Sequence, residues 1–322
     1  SIFMDTISKI HNNEFGIYIG NQSSLLKNKL KINITLRADK NENFNLNFSP
    51  ATSIVFKANN EDIFRLSFGS AIRNPTLSDQ YLYYNVGRAI LIGNLNGHGT
   101  NYNENLVTVQ SLLNYYTPLE RSKDSLSFFS VDPIQPEKTK SIEFGYRGVL
   151  GKKTYLDANI YFSSYTDFIG YKIGAKFDTL GHPEDLSLYE ILDQSVQVYR
   201  IAANAENKVT TFGGSFGINY YLNNNITLNG NYTYNELIEK GEKDPIIPAY
   251  NTPKHKFNLG MIIKNIHLNK LYSALREFSF SLNYKWIDKY LYEGSPQFTG
   301  FIPQYDLLDI QISKDLPKIN WI

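Results

Sequence analysis

A pair of alternating segments near the middle of the chain constrains the fold more than any other feature of the sequence. Within residues 137–168, apolar and polar side chains alternate along two stretches that are separated by Gly151, Lys152 and Lys153. Alternation with a period of two places every second side chain on the same face of a β-strand. The pattern therefore predicts two long antiparallel strands joined by a very short turn, with one face toward lipid and the other toward a wet lumen.

Other segments repeat this alternation along most of the chain. The polar positions of one of them include Lys31, Asn33 and Arg37, whose burial in a dry core would be very costly, so that face must meet water. Pro50 is expected to break another, because proline cannot donate to a central ladder. With the hairpin, the chain has about eleven predicted strands, and the others lie at residues 14–21, 30–38, 45–58, 62–70, 208–222, 226–236, 257–264, 278–290 and 305–313.

The connections between the predicted strands alternate in length. In a transmembrane barrel, short turns lie on the periplasmic side and long loops lie outside. A soluble sandwich or propeller has no such one-sided asymmetry. We therefore predict an all-β fold, a partial transmembrane antiparallel up-and-down β-barrel. The short links lie near residues 23–28, 59–61, 151–153 and 223–225, and the long ones at residues 71–139, 170–207, 237–253 and 291–303.

The long connections are expected to carry short helices of their own, since structureless loops of such length are unusual. Asn74 and Pro75 resemble an N-cap and first-turn pair, which predicts a helix through Tyr84. Residues 104–116 are compatible with a second helix. Residues 183–185 begin a third candidate, because acidic residues favour the first turn of a helix.

Composition supports a wide β-rich wall and excludes several other functions. Aromatic residues make up 14% of the 322 residues, with 24 Tyr and 20 Phe against 2 Trp, which fits strands with aromatic girdles. The chain has no cysteine, so disulfides, thiolate nucleophiles and Cys-ligated metals are excluded. A formal net charge of +1 provides no global field that would attract nucleic acid. No apolar run is long enough for a transmembrane helix.

Three motifs resemble those of the TonB-dependent outer-membrane receptors. Residues 62–81, DIFRLSFGSAIRNPTLSDQY, resemble that family's strand with aromatic, Arg, small, aromatic and Gly positions, followed by Arg-x-Pro and a short helix. Residues 135–146 resemble the family's Pro-Glu and Ser-x-Glu-x-Gly-Tyr entry to the next strand, and residues 251–256 its Pro-x-His-Lys entry to a later one. The amino-acid composition, rich in Asn, Lys and Tyr, looks most like that of receptors from Bacteroidetes-type bacteria.

The resemblance implies a barrel of about 22 strands with an N-terminal plug domain inside it. A TonB box ahead of the plug would couple transport to the TonB–ExbB–ExbD complex of the inner membrane. Eleven strands make half of such a barrel. We therefore expect residues 1–322 to be one barrel domain, a fragment whose plug, early strands and aromatic-ended final strands are missing.

The function implied by this resemblance is uptake across the Gram-negative outer membrane of a scarce, large ligand. A siderophore–iron complex, a cobalamin-like cofactor or a glycan would all fit. The expected partners are the protein's own plug, TonB–ExbB–ExbD, outer-membrane lipid and the ligand. Two alternatives stay open: a passive porin or adhesin-like outer-membrane barrel, and a soluble β-rich binding module.

Two sets of residues are candidates for the functional site. The first set lies in the expected extracellular loops, where tyrosines suit stacking on a ligand and Arg73 suits an anion. The second set lies on the expected lumen face, where it would contact the plug or a passing ligand. Packing within the loop, a loop salt bridge and plain solvation of lumen charges are the alternatives. The loop set is Arg73, Tyr81, Tyr83, Tyr84 and His98, and the lumen set is Arg37, Arg65, Glu143, Arg147, Asp157 and Tyr161.

The sequence contains no enzyme signature, and we expect neither a catalytic residue, a metal site nor a cofactor. The five histidines are scattered, and no two have the spacing of metal ligands. The glycine-rich run at residues 93–99 lacks the preceding strand, Lys and Ser/Thr of a phosphate-binding loop, so His98 is expected to be a loop residue. No serine lies in a nucleophile elbow, and no spacing singles out a pair of catalytic carboxylates.

Overall fold

The computed structural model describes most of the chain. The described residues are 9–87, 89–116, 123–176, 197–239, 250–266, 278–293 and 299–314. The helix expected after residue 183 lies outside these ranges, as do His182 and His267.

The described residues are mostly strand, and the strands are numbered in chain order. Eleven long strands form the main sheet: β1 Glu14–Leu25, β2 Leu30–Asn41, β3 Asn47–Lys57, β4 Ile63–Arg73, β10 Glu137–Leu150, β11 Thr154–Thr166, β14 Val209–Tyr221, β15 Ile226–Glu239, β16 His255–Ile266, β17 Phe278–Ile287 and β20 Tyr305–Lys314. The shorter strands are β5 Tyr83–Asn85, β6 Ala89–Ile92, β7 His98–Gly99, β8 Leu106–Val107, β9 Ser130–Val131, β12 Ile169–Lys176, β13 Gln197–Asn204, β18 Tyr290–Glu293 and β19 Thr299–Ile302.

The main sheet is antiparallel throughout, in the order β1-β2-β3-β4-β10-β11-β14-β15-β16-β17-β20. Each long strand lies beside the next long strand along the chain, which is the up-and-down arrangement that the alternation predicted. The sheet is not closed, because β1 pairs only with β2 and β20 only with β17 among the described strands. The prediction of an all-β partial barrel is confirmed.

Pro50 does not break its strand, so that expectation was wrong. β3 runs without interruption from Asn47 to Lys57, and Pro50 lies opposite Leu36 of β2. Pairing of β3 with β4 begins only at Ala51. Pro50 therefore lies where only one edge of the strand is bonded, and no partner on the other side needs its missing N–H group.

The two faces of the main sheet differ in chemistry, as period-two alternation requires. One face, here the apolar face, leaves large side chains bare: Ile19 is 73% exposed, Phe144 46% and Ile310 59%. A soluble monomer rarely exposes so continuous an apolar surface. The opposite face, here the polar face, carries the hydroxyls, amides and charges of the same strands.

The two ends of the main sheet also differ. At the turn end, consecutive strands are joined by the short links 26–29, 58–62, 151–153 and 222–225. At the loop end, they are joined by the long connections, with one exception that the sequence did not reveal: residues 42–46 join β2 to β3 directly. The first turn lies later than predicted, because β1 continues to Leu25 before the backbone reaches positive φ at Leu26, Lys27 and Asn28.

The two longest connections, which leave and re-enter the main sheet at its loop end, fold together. Their strands form a five-stranded sheet in the order β5-β6-β13-β12-β8, in which β6 and β13 are parallel. The described residues of 74–136 and 167–208 are called the loop layer below. Its buried core is Leu106, Val131, Ile201, Ala203 and Ala205. The expectation that these connections are ordered is confirmed for the described residues.

The helices of the loop layer are shorter than predicted. Helix α1 spans Leu77–Tyr81, because Thr76 rather than Asn74 is its N-cap: Thr76 accepts a bond from the Asp79 amide, and the Asp79 carboxylate accepts from the Thr76 amide. Tyr83 and Tyr84 lie in a strand instead. Helix α2 spans Val109–Tyr116 and not 104–116, since Thr108 accepts from the Ser111 amide at its start. Neither helix is long and apolar enough to cross a bilayer, nor is any other among the described residues.

The last long connection differs from the prediction as well. The predicted strand at 278–290 ends at Ile287, and Tyr290 begins a separate hairpin, β18–β19. Part of the expected loop at residues 291–303 is therefore a two-stranded ribbon.

Candidate functional site

The register of the main sheet places the six predicted lumen residues on the polar face. Arg147 lies opposite Asp157, and Glu143 lies opposite Tyr161. Arg65 lies opposite Gly145, two positions along from Glu143 on the same face. Arg37, the sixth, is on the corresponding face of β2. Cross-strand partners share a face, so these side chains form one surface rather than scattered charges.

Arg65 and Asp157 form an ion pair that crosses β10. The Arg65 Nη2 atom lies 2.7 Å from Asp157 Oδ1, and both side chains are 38% exposed. Gly145 lies between them, and a Cβ atom there would be only 2.9 Å from Arg65 Nε. The missing side chain of Gly145 therefore opens the path that Arg65 takes across its neighbouring strand. A glycine in register between two charged strands is the signal that could have revealed this pair.

A second network links β10, β11 and β14 beside that pair. Asn159 Nδ2 donates to Glu143 Oε1 at 2.9 Å, and Asn159 Oδ1 accepts from the Ser215 hydroxyl at 2.5 Å. Tyr161 donates to Asn235 Oδ1 at 2.5 Å and passes Gly213, where a Cβ atom would lie 2.5 Å from the phenol oxygen. Most polar groups of this part of the face are thus already satisfied, which makes the face rigid.

The polar face contains two hollows. One has a volume of about 420 Å³ and is lined mainly by hydroxyls and amides, with Glu143 and Tyr161 at one side. The other has a volume of about 760 Å³ and lies at the loop end of β1–β4. Its charged residues are Glu14, Arg37, Asp39 and Arg73.

The charged residues around the larger hollow all have bonding partners. Arg37 Nε lies 2.9 and 2.8 Å from the two carboxylate oxygens of Asp39. Arg73 Nη2 lies 2.7 Å from Glu137 Oε2. Glu14 accepts from Asn41 Nδ2 at 2.6 Å. The hollow therefore presents hydrogen-bonding groups of both signs, without a strong net charge that would attract one kind of ion.

Glu137 fastens the loop layer to the main sheet. Its side chain is 7% exposed, and besides Arg73 it accepts the Ile169 amide at 3.0 Å, where β12 begins. One carboxylate thus joins the ends of β4 and β10 to the second long connection. The sequence motif at residues 135–146 contained this residue, but alternation alone gave it no such role.

The five predicted loop residues do not form one cluster. Arg73 ends β4 and is held by Glu137. Tyr81 is half-buried, and its hydroxyl accepts from Asn43 Nδ2 at 2.8 Å. Tyr83 and Tyr84 lie on the short edge strand β5 and are 39% and 48% exposed. These two tyrosines are the aromatic residues of the set that stay available to a ligand.

His98 is bonded inside the loop layer. Its Nδ1 atom lies 3.1 Å from Glu104 Oε2, and its Nε2 atom lies 3.0 Å from the carbonyl oxygen of Gly93. Glu104 Oε2 also accepts the Gly99 amide at 3.1 Å. Both ring nitrogens of His98 therefore have hydrogen-bond partners within the loop layer. The glycine-rich run is thus a packed turn, in keeping with the absence of a phosphate-loop motif.

Asn94, which was not among the predicted site residues, links the two long connections to each other. It is fully buried, and its Nδ2 atom donates to the carbonyl oxygens of Asp132 at 2.7 Å and Ala202 at 2.9 Å. Its Oδ1 atom accepts the Gly97 amide at 2.9 Å. Its main chain bonds the Asp79 carbonyl and the Ile134 amide, both at 2.8 Å. A fully satisfied buried amide of this kind specifies one arrangement of the surrounding backbone.

Burial raises the pKa of three tyrosines at the loop end. It raises the pKa of Tyr199 in β13 and of Tyr250 before β16. Burial also raises the pKa of Tyr102, helped by the hydrogen bond that its hydroxyl donates to Asp132. Among the residues that the structure describes, no three His, Asp or Glu side chains come together as ligands for a metal ion.

A double-mutant cycle on Arg65 and Asp157 should yield a coupling of only about 0.5 kcal/mol, because both partners are partly solvated. Gly145→Ala should remove most of that coupling, since its Cβ atom would push Arg65 aside. Gly69→Ala is the matched control on the same face, with nothing within 4 Å of its added carbon. Denaturant unfolding of the full-length protein in detergent measures the coupling, and an equal loss in both glycine variants would contradict this path for Arg65.

Comparison with known proteins identifies a family and several solved structures that this chain resembles. The family model described as TonB dependent receptor-like, beta-barrel matches residues 4–321. A search of curated protein sequences found no match. Solved structures do match: the siderophore receptor PirA from Acinetobacter baumannii has a TM-score of 0.60 at 12% identity, and covers 98% of this chain and 42% of its own.

Two further structures match over a similar span. The FrpB iron transporter from Neisseria meningitidis, in its F5-1 variant, has a TM-score of 0.56 at 12% identity, over 94% of this chain and 39% of its own. A mutant of the ferric enterobactin receptor PfeA from Pseudomonas aeruginosa has a TM-score of 0.58 at 13% identity, over 95% and 38%. This chain thus spans about two fifths of the length of the receptors it matches. These matches bear on the fold and say nothing of the bacterial group.

Proposed function

Since this chain belongs to the family of TonB-dependent receptor-like β-barrels, we propose that it is part of the barrel wall of an outer-membrane receptor that imports a scarce, large ligand. The observation that carries the proposal is the two-faced main sheet with both edges open. Its bare apolar face suits lipid, and its polar face suits a wet lumen. The open edges suit pairing with further strands, because unpaired edges are not tolerated in lipid.

The remaining strands and a plug domain would come from sequence outside residues 1–322. In this arrangement, added strands pair with β1 and β20 and close a barrel of about 22 strands. The plug packs against the polar face, with Arg37, Glu143 and Arg147 as contacts. A TonB box links the plug to the TonB–ExbB–ExbD complex. This chain covers 38–42% of the three solved receptors described above, which supports its being a segment of a larger barrel.

The loop layer is the proposed site of ligand capture. It lies at the end where the long connections gather, and it stands beside the larger hollow of the polar face. Exposed Tyr83 and Tyr84 offer aromatic surface, while the hollow offers hydrogen-bonding groups of both signs. A large ligand with both ring systems and polar atoms would match this combination.

A chelated iron complex is the first candidate ligand. The solved structures that match include siderophore receptors, an iron transporter and a ferric enterobactin receptor, which supports this candidate. A copper transporter, OprC, is among the matched structures too. A cobalamin-like cofactor and a glycan remain the other classes to test.

The decisive experiment uses the full-length receptor in a Gram-negative host that lacks its own transporters for the probe. Radioactive ferric enterobactin, cobalamin and a maltooligosaccharide would be the probes, each in cells with and without TonB. We expect accumulation of one probe that disappears when TonB is absent. Equal uptake without TonB would indicate a passive porin, and recovery of the full-length protein as a water-soluble monomer would refute both membrane functions.

Removing the two exposed tyrosines of β5 should weaken ligand binding. The double substitution Tyr83→Ala and Tyr84→Ala should lower affinity for the imported probe roughly tenfold, since aromatic contacts of this kind contribute about 0.5–1.5 kcal/mol each. Tyr221→Ala, an exposed tyrosine at the turn end, is the control. Whole-cell binding at low temperature measures the effect, and an unchanged affinity would remove Tyr83 and Tyr84 from the site.

A further inference from the structure

Two lysines interrupt the apolar face at the loop end of β10. Lys138 and Lys140 occupy the same phase of the strand as Ile142 and Phe144, so they point to the apolar face. Their Cα atoms are about 7 Å apart, two residues along an extended strand. Every second residue from Ile142 to the turn is aromatic, aliphatic or glycine, which makes a cationic pair at this position conspicuous.

Neither lysine has an assigned partner. Both are exposed, and the described part of the chain supplies no hydrogen bond or ion pair to either ammonium group. The register puts Ser70 of β4 and Ser164 of β11 on either side of Lys140. Two free ammonium groups flanked by hydroxyls form a set of donors for a phosphate oxygen.

The lysines mark a boundary on the apolar face. The next row toward the turn end consists of Phe68, Ile142 and Phe162, which are 40%, 50% and 44% exposed. From Ile142 to Leu150 the strand has nine residues, and those on the apolar face carry no charge; this length is close to what crosses a bilayer core. The lysine row therefore lies at the level where lipid headgroups meet the protein, a place where long cationic side chains extend to the interface.

A groove lies on the same face below the lysines. Its volume is about 460 Å³, and it is lined by residues of β10, β11, β14 and β15. Ala158 and Gly214 leave its floor low, between the rings of Phe144, Phe216 and Tyr232. Phe144 is about 13 Å along the strand from Lys140, a span that one lipid molecule covers from headgroup to upper acyl chain.

We propose that this face holds a phosphate-bearing lipid of the outer leaflet, with its phosphate at Lys138 and Lys140 and an acyl chain in the groove. The proposal rests on the proposed function, which places this face in lipid and its loop end at the outer leaflet. Charge complementarity selects an anionic headgroup over a zwitterionic one, and the groove selects a lipid over free phosphate. The bound lipid acts as an annular partner of the barrel wall, separate from the imported ligand.

Native mass spectrometry of the full-length receptor in detergent tests the site. The probes are the bisphosphorylated glycolipid lipid A, phosphatidylethanolamine and inorganic phosphate. Lipid A should bind to the wild type, and the double variant Lys138→Gln and Lys140→Gln should bind it about 30-fold more weakly, given the usual contribution of each basic residue near an anionic surface. Ala158→Phe, which fills the groove, should weaken lipid A binding while leaving both lysines in place.

The controls separate this site from general electrostatics. The variant Lys27→Gln and Lys152→Gln removes two exposed lysines from turns at the other end of the sheet and should leave lipid A binding unchanged. Equal losses in both double variants, equal binding of phosphatidylethanolamine, or binding of inorganic phosphate at the same affinity would each overturn the proposal. Heat-modifiable migration on gels reports membrane folding separately, so a failure of the barrel function would be told apart from loss of this site.

Discussion

Replacing Asn94 with leucine is expected to disorder the loop layer, at a cost on the order of 4 kcal/mol. The substitution removes the hydrogen bonds to the carbonyl oxygens of Asp132 and Ala202 and to the amide of Gly97. The latter two groups are buried, and each buried group left unsatisfied costs about 1–3 kcal/mol. Leucine has the branched shape of asparagine but larger terminal groups and no polar atom, so it replaces none of these hydrogen bonds and must also crowd its neighbours.

Hydrogen exchange of the full-length receptor in detergent measures the effect. Protection should fall in β6, β12 and β13, while the main sheet keeps its protection because its ladder does not involve Asn94. The control is Asn101→Leu, since Asn101 is an exposed residue of the same connection. Similar protection in the Asn94 and Asn101 variants would contradict the role given to the buried amide.

Gly99→Ala should be the second most damaging substitution and should destabilise the loop layer by about 3 kcal/mol or more. Gly99 has φ 100° and ψ −161°, a conformation that is essentially confined to glycine. A Cβ atom there would also lie 2.3 Å from the Phe129 carbonyl oxygen, which belongs to the backbone and cannot move aside cheaply. The β7–β9 pairing and the Glu104 contact to the Gly99 amide would be lost.

Gly87→Ala separates backbone conformation from steric contact. Gly87 has φ 91°, but nothing lies within 4 Å of an added Cβ atom, so about 1–2 kcal/mol of conformational strain is expected. Hydrogen exchange at β7 and β9, together with proteolysis of the loop layer, would compare the two variants. If Gly99→Ala were no more harmful than Gly87→Ala, the close approach of Phe129 would not constrain the fold.

Alternation along the sequence predicted the main sheet because each strand's pattern is local. Residues 30–38 show the same period-two pattern whether or not their partners are known, and β2 extends it to Asn41. The ends were less predictable, because polar residues such as those of β1 after Asn21 continue the ladder without an apolar signal. Pro50 was misread for a related reason: its effect depends on which edge of β3 is bonded, and that is decided by β4.

The true start of α1 is visible in the sequence as the capping box of Thr76 and Asp79, but the prediction relied on Asn74 and Pro75 instead. Asn74 before Pro75 is a plausible cap, yet Thr76 and Asp79 have the spacing of a reciprocal capping box, which satisfies two amides rather than one. The helix therefore begins two residues later and ends before Tyr83. As a result, Tyr83 and Tyr84 reach the surface from a strand edge rather than from a helix.

The candidate site could be predicted only as a face, not as a set of contacts. Alternation placed Arg65, Glu143 and Asp157 on the polar face, since that needs only the phase of each strand. The Arg65–Asp157 pair needs the register of three strands and the gap at Gly145. The roles of Asn94 and Glu137 needed still more, because their partners come from connections that are distant along the chain.

Because β6 pairs in parallel with β13, the two longest connections form one structural unit. Asn204 strengthens this union at its base, where its side chain bonds the main chain of both Gln135 and Asp167. Transplanting either connection alone into another receptor would carry across an unmatched strand edge and a core with half its residues. Grafts of the loop layer should therefore exchange both connections together, with their shared base at Asn204.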